Sequence, residues 1–161
     1  MLPIRILFFV SSAYDGLLGL GFIFAAPAVF KLAGITPPNH WGYVHFAAGT
    51  LVIFSWMFLR IALRPIKNRS LVVYGVLLKA CYAGTVAWHE FHGGVPMLWK
   101  WFSIADLIFL VLFLWAWVRL NAVKSIDLRN RRIDRSPRLP DISGPADDQQ
   151  THQKFLHHCP H

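Results

Sequence analysis

Long apolar runs dominate the chain, and short polar stretches break them at fairly even intervals. Four runs are long enough for a helix to cross the roughly 30 Å hydrocarbon core of a bilayer, which takes about 20 residues. They are Ile4–Phe30, Tyr43–Leu63, Leu71–Trp88 and Trp99–Val118. A helix in a soluble protein keeps a polar face. The second and fourth runs hardly have one, which argues against a soluble bundle. The first run carries Asp15 and ends near Pro27, so a tilt, a kink or an earlier end is expected there.

The breaks between runs hold turn residues: Gly34, Pro37, Pro38 and Asn39 in the first, Pro65 and Asn68 in the second, Gly93, Gly94 and Pro96 in the third. All three are short, so consecutive helices should be antiparallel neighbours. The expected fold is all-α: an integral membrane four-helix up-down bundle over residues 1–120, with a polar, Arg-rich, disordered tail over residues 121–161. From Ser136 onward, the Pro, Gly, Asp and Gln content of that tail suggests disorder.

Lys and Arg set the expected orientation. Arg5, Arg60, Arg64, Lys67, Arg69, Arg119, Lys124 and the tail arginines fall on one side, against only Lys31 and Lys100 on the other. The rich side should be cytoplasmic, with both termini, and the His40 and His92 loops should face outward. Trp41, Tyr43, Trp88, Trp99 and Trp101 then make an outer aromatic belt, and Trp115 and Trp117 lie towards the inner face. The start resembles a signal peptide only in part. Its apolar stretch Ile6–Val10 is shorter than the usual 7–15 residues or so, and apolar character resumes after Asp15. An uncleaved first span is expected.

Composition sharpens this picture. Of 161 residues, 55% are hydrophobic and 15% charged, against about a quarter charged in soluble domains. The formal charge of +8 invites a nucleic-acid partner. The basic residues sit at span edges and in the tail, however, so they read as membrane topology and no nucleic acid is expected. Cys81 and Cys159 fall at different depths and imply no disulfide framework. The basic stretch from Arg119 to Arg138 suits attraction to anionic lipid.

Ionisable residues at membrane depth are expensive and mark function by default. With a rise of about 1.5 Å per residue, Asp15 and Lys79 lie at matching depth near the midplane, while Asp106 enters from the outer side. The Asp15 face carries Ser11, Ser12 and Gly19, small residues that let helices approach. The Lys79 face carries Gly75, Tyr82, Val86 and His89, and the Asp106 face carries Phe102, Ser103, Phe109 and Phe113. Asp15, Lys79, Tyr82 and Asp106 are therefore the expected polar centre, with Tyr82 as a further hydrogen-bond donor. Two readings stay open: a neutralising pair that fixes helix register, or a proton relay or headgroup site.

A second group of residues lies near the outer ends of the second and third spans: His40, His45, His89, Glu90 and His92. Imidazole and carboxylate together suit a metal or haem. Their plainer reading is as interfacial residues, where an amphipathic side chain meets water. The run His89-Glu90-Phe91-His92 lacks the spacing that puts both imidazoles of a zinc protease on one helix face, so that activity is rejected. His152, His157, His158, Cys159 and His161 in the tail form another metal-binding composition. No P-loop, no dinucleotide glycine fingerprint and no Ser/His/Asp constellation is visible, nor are the paired broken helices of many transporters.

Four spans, a glycine-rich first span with Asp15-Gly16, Gly19, Gly21 and Pro27, and an outer turn with Gly34 and Pro37-Pro38 together resemble the DoxX-like small bacterial membrane proteins. The resemblance covers roughly Ile4 to Val118, leaves out the tail, and implies a bacterial inner-membrane location. Some DoxX-like proteins are associated with quinone-linked oxidoreductases. It carries over no catalytic residue. The leading expectation is a non-enzymatic accessory or binding subunit whose partner is another membrane protein, a second copy, a lipid or a quinone. One alternative is a redox subunit, with a quinone near Tyr82, Trp88 and Trp99 and His89 or His45 at its oxygen. The other is a small proton-coupled transporter or channel using Asp15 and Asp106.

Overall fold

A computed structural model describes residues 1–134 as helices and short connections. The helices are α1 (Leu2–Leu32), α2 (Gly42–Leu63), α3 (Val72–His92) and α4 (Met97–Asp134), and a 3₁₀ turn, Arg69–Leu71, leads into α3. All four are long and apolar enough to cross a membrane. No strand occurs among the described residues. The chain is a multi-pass, all-α membrane protein, as its hydrophobic runs predict. Met1–Asp127 forms one compact unit; of the second, from Leu128, only the end of α4 is described. α4 continues as helix to Asp134, past the expected boundary at residue 120. The expected tail metal ligands His152, His157, His158, Cys159 and His161 lie outside the described residues.

Local sequence explains the ends and the bend of α1. Proline sits in its first turn, where a missing N–H costs nothing. Pro27 lies inside the helix, and Ala25 leaves helical geometry at φ −130°, ψ 18°. A proline ring crowds the carbonyl four residues back and withholds a donor, so the helix kinks rather than stops. The actual stop is Gly34, at φ +65°. Its N–H donates to Lys31 O, and Ile35 N–H donates to Phe30 O. This Schellman arrangement uses the left-handed conformation that glycine adopts without penalty.

α1 and α2 are closely packed along their length, whereas α2 and α3 touch only sparsely. The α1–α2 seam is built from small residues. A Cβ added at Gly19 would stand 2.7 Å from Ala48 O and 2.9 Å from Val52 Cγ2. One added at Gly16 would stand 2.7 Å from Ser55 Oγ. At this approach two serines clasp the helices: Ser12 Oγ donates to Ser55 O at 2.8 Å, and Ser55 Oγ donates to Ser12 O at 2.7 Å. Near the helix ends, Arg5 Nε donates to Ala62 O at 3.1 Å. Lipid drives no hydrophobic association between helices, so close van der Waals contact and interhelical hydrogen bonds carry the seam.

Two apolar clusters fill the bundle. One gathers Phe8, Phe58, Ile61, Val72, Phe113, Ala116 and Leu120 on the side of the α2–α3 connection. Here Phe8 stacks on Phe113 at 4.7 Å between ring centroids, and Phe58 meets Phe113 edge-on at 5.0 Å. Gly75 makes room for these rings, since a Cβ there would stand 2.6 Å from Phe58 Cε1. The other cluster gathers Phe22, Ala26, Phe30 and Ala48 with Trp41, Trp99 and Phe102 on the side of the His40 and His92 connections. Trp41 and Trp99, expected in an outer belt, turn partly inward: Trp99 stacks on Phe22 and Trp41 meets Phe30 edge-on. Tyr43, Trp88 and Trp101 remain exposed, as do Leu17, Phe24, Phe46, Ile53 and Val111 around the bundle. So much exposed apolar surface matches a lipid environment.

Candidate functional site

Between the two apolar clusters sits a lysine with three carboxylate oxygens around it. Lys79 Nζ lies 2.7 Å from Asp15 Oδ1 and 3.0 Å from Asp15 Oδ2. It lies 2.9 Å from Asp106 Oδ1. One side chain of α3 thus ties α1 and α4 together. Ser12, Gly16 and Gly19 bring α1 close to α2 and fix the face on which Asp15 stands, while Gly75, one turn before Lys79, lets α3 approach Phe58 and Phe113. The Lys79 and Asp15 side chains are 1% and 0% exposed, and that of Asp106 is 9% exposed.

Aromatic rings complete the surroundings of the ammonium. Nζ lies 5.5 Å from the ring centroids of Tyr14 and Phe109 and 5.9 Å from that of Phe58. These distances are within the reach of cation–π attraction. Tyr14 was not singled out in the sequence, yet it belongs to the site. Its hydroxyl is buried and has no hydrogen-bond partner among the described residues, and its ring tilts against Phe109 at 5.5 Å. The one clue was adjacency to Asp15, which in a helix does not place a residue on the same face. Ser11 Oγ, a turn earlier on α1, is also buried without a partner among the described residues.

Tyr82 stands differently from expectation. Its hydroxyl donates towards Trp99 O at 3.4 Å, a long bond, rather than to a carboxylate. It is nevertheless a wall of the same space. A cavity of about 520 Å³ runs from Asp15, Lys79 and Asp106 between α2 and α3, with Phe22, Trp99 and Phe102 among its walls. Its outer margin includes Tyr43, Phe46, Ala47, Cys81 and Thr85, all exposed residues of α2 and α3. The sparse meeting of α2 and α3 is what leaves it open sideways, towards the lipid. On the other side of Lys79 the stacked rings of Phe8, Phe58 and Phe113 close the bundle.

The histidine group is not gathered. No three His, Cys, Asp or Glu residues stand together to hold a metal ion among the described residues. His40, His45, His89, Glu90 and His92 are all exposed. Three of them serve local structure. His40 Nδ1 accepts from Gly42 N–H at 3.0 Å, and His92 Nδ1 lies 2.8 Å from Trp88 O. Glu90 accepts from Val95 N–H at 3.0 Å and from Lys100 Nζ at 2.6 Å. These contacts fasten the two connections.

The arrangement offers a buried charge cluster of two acids and one base, closed on one side and reached from the other through an aromatic-walled cavity. No family model matches the chain, and neither a curated protein nor a solved structure is found similar to it.

Proposed function

We propose that this chain is a non-enzymatic binding subunit of a bacterial inner membrane, related to the DoxX-like proteins, that holds one amphiphilic molecule taken up from the lipid. The observation that carries this reading is the cavity of about 520 Å³ ending on Asp106 and Lys79. Its volume falls within the 300–1,000 Å³ or so of small-molecule sites, and a mostly apolar wall with few polar groups is their usual make-up. The ligand's apolar body lies among Phe22, Leu51 and Phe102, and its polar end meets the cluster. The excess of Lys and Arg on the side of the α2–α3 connection supports a cytoplasmic location for both termini.

A quinone-linked redox subunit is the second reading, favoured by Tyr82 and Trp99 in the cavity wall. Trp88, His89 and His45 are not part of that wall, so an imidazole at the quinone oxygen has no support. Transport through the bundle has less support, because Phe8, Phe58 and Phe113 interrupt any polar path beyond Lys79.

Native mass spectrometry after gentle extraction from the protein's own membranes tests the proposal. A defined added mass is expected on the wild-type chain and lost on Ala47→Trp, which fills the cavity margin. A quinone mass selects the second reading. A bare wild-type chain, or a mass that survives Ala47→Trp, overturns the cavity as the binding site.

A further inference from the structure

The donors and acceptors at the base of the cavity restrict which polar group can occupy it. An ammonium carries three protons and no acceptor. Lys79 Nζ has three carboxylate oxygens within 3.0 Å, as many as it has protons. Two of its protons are donated to Asp15 and its charge is also shared with Asp106 Oδ1, so it is already engaged by carboxylates before any ligand arrives. Two acids and one base leave one negative charge uncompensated, and an anionic ligand would add a second. Of the two acids, Asp15 is fully enclosed and offers both oxygens to Lys79, whereas Asp106 offers Oδ1, lines the cavity and keeps some exposure. Beside the Tyr14 hydroxyl, the accessible charged group at the cavity floor is thus a carboxylate, an acceptor with negative charge.

The walls agree independently. Above Asp106 the cavity is faced by Phe102, one helical turn away on α4, and by Phe22, Trp99, Tyr82 and Tyr14. Aromatic faces attract a cation electrostatically, and an aromatic cage beside a carboxylate is how proteins hold alkylammonium groups. Phe22 and Phe102 offer a neutral alcohol only apolar contact, whereas the Tyr14 and Tyr82 hydroxyls can hydrogen-bond an alcohol or an ammonium alike.

Resting on the binding role proposed above, we propose that the ligand is a cationic amphiphile: an alkyl or polycyclic chain bearing a protonated amine, whose ammonium donates to Asp106 while its body fills the aromatic cavity. The amine replaces the small cation, a proton at its simplest, that otherwise compensates the surplus carboxylate. Lys79 is a positioning residue. It occupies Asp15 and one oxygen of Asp106, leaving the other oxygen turned to the ligand.

Cys81 supplies the reporter, being exposed at the cavity margin. The full chain with Cys159→Ser is reconstituted in phosphatidylcholine nanodiscs and labelled with a lipophilic maleimide. Dodecylammonium, dodecanol and dodecanoate, which share one chain length, are titrated as protectants. A charge-assisted bond exceeds a neutral one by enough to lower the half-protecting concentration of the amine about tenfold below that of the alcohol. Asp106→Asn should erase that gap while leaving dodecanol where it was. Phe102→Leu, which keeps both acids, should narrow it about threefold through the lost ring face. Equal protection by amine and alcohol on the wild-type chain, or strongest protection by dodecanoate, overturns the assignment of charge but leaves the cavity as a binding site. No protection by any of the three, with Cys81 labelling also unmoved by Ala47→Trp, overturns the binding role itself.

Discussion

Replacing Lys79 by Met probes the centre of the bundle most directly. Methionine keeps an unbranched, apolar side chain of similar reach and removes only the ammonium. What remains is two carboxylates, with side chains 0% and 9% exposed, facing the place where Nζ stood within 3.0 Å of both. Removing one partner of a buried pair costs about 3–5 kcal/mol, because the remaining charge is left uncompensated. Folded proteins have only about 5–15 kcal/mol to lose, so the effect should be large. Unfolding in mixed micelles by titration with sodium dodecyl sulfate, followed by tryptophan fluorescence, measures it. Lys79→Met should unfold at a clearly lower detergent fraction than wild type. The triple variant Asp15→Asn/Lys79→Met/Asp106→Asn should recover most of the loss, since an uncharged replacement of a buried ion cluster is often neutral. A single variant within about 1 kcal/mol of wild type, or a triple variant no better than the single one, would refute the view that uncompensated charge is the cost.

Four further outcomes are expected from the same assay. Gly19→Leu should lose about 1–3 kcal/mol by overpacking the seam against Ala48 O and Val52. Gly21→Ala, with nothing within 4 Å of its Cβ, should be neutral or slightly stabilising. Ser12→Ala and Ser55→Ala should each cost about 1 kcal/mol and couple in a double-mutant cycle, and strict additivity would show that the clasp contributes nothing. Phe113→Ala should cost about 3–5 kcal/mol, because its ring fills the space between Phe8, Phe58 and Gly75.

The four spans were determined by the sequence alone, for a simple physical reason. A bilayer demands about 20 apolar residues in a row and internal satisfaction of every backbone hydrogen bond, and this demand acts on each segment locally. Ile4–Phe30 and Tyr43–Leu63 accordingly lie within the observed α1 and α2 and close to their ends. The kink near Pro27 and the stop at Gly34 were legible too, because each follows from one residue's own backbone chemistry. Asp15, Lys79 and Asp106 stood out because charge is rare at such depth, but one-dimensional depth could not say that they touch.

Only the tertiary structure decided that. Which acid meets Lys79 depends on how α1, α3 and α4 are rotated and spaced. Gly16, Gly19 and Gly75 set this through atoms on other helices, Ser55, Ala48 and Phe58. The membership of Tyr14, the turning of Tyr82 towards Trp99, and the separation of the histidines likewise come from helix rotation, which hydrophobic runs this uniform leave open. The cavity is the furthest from the sequence of all. It exists because α1 holds α2 closely while α2 and α3 part, and a gap between helices is a property of their arrangement rather than of any residue in it.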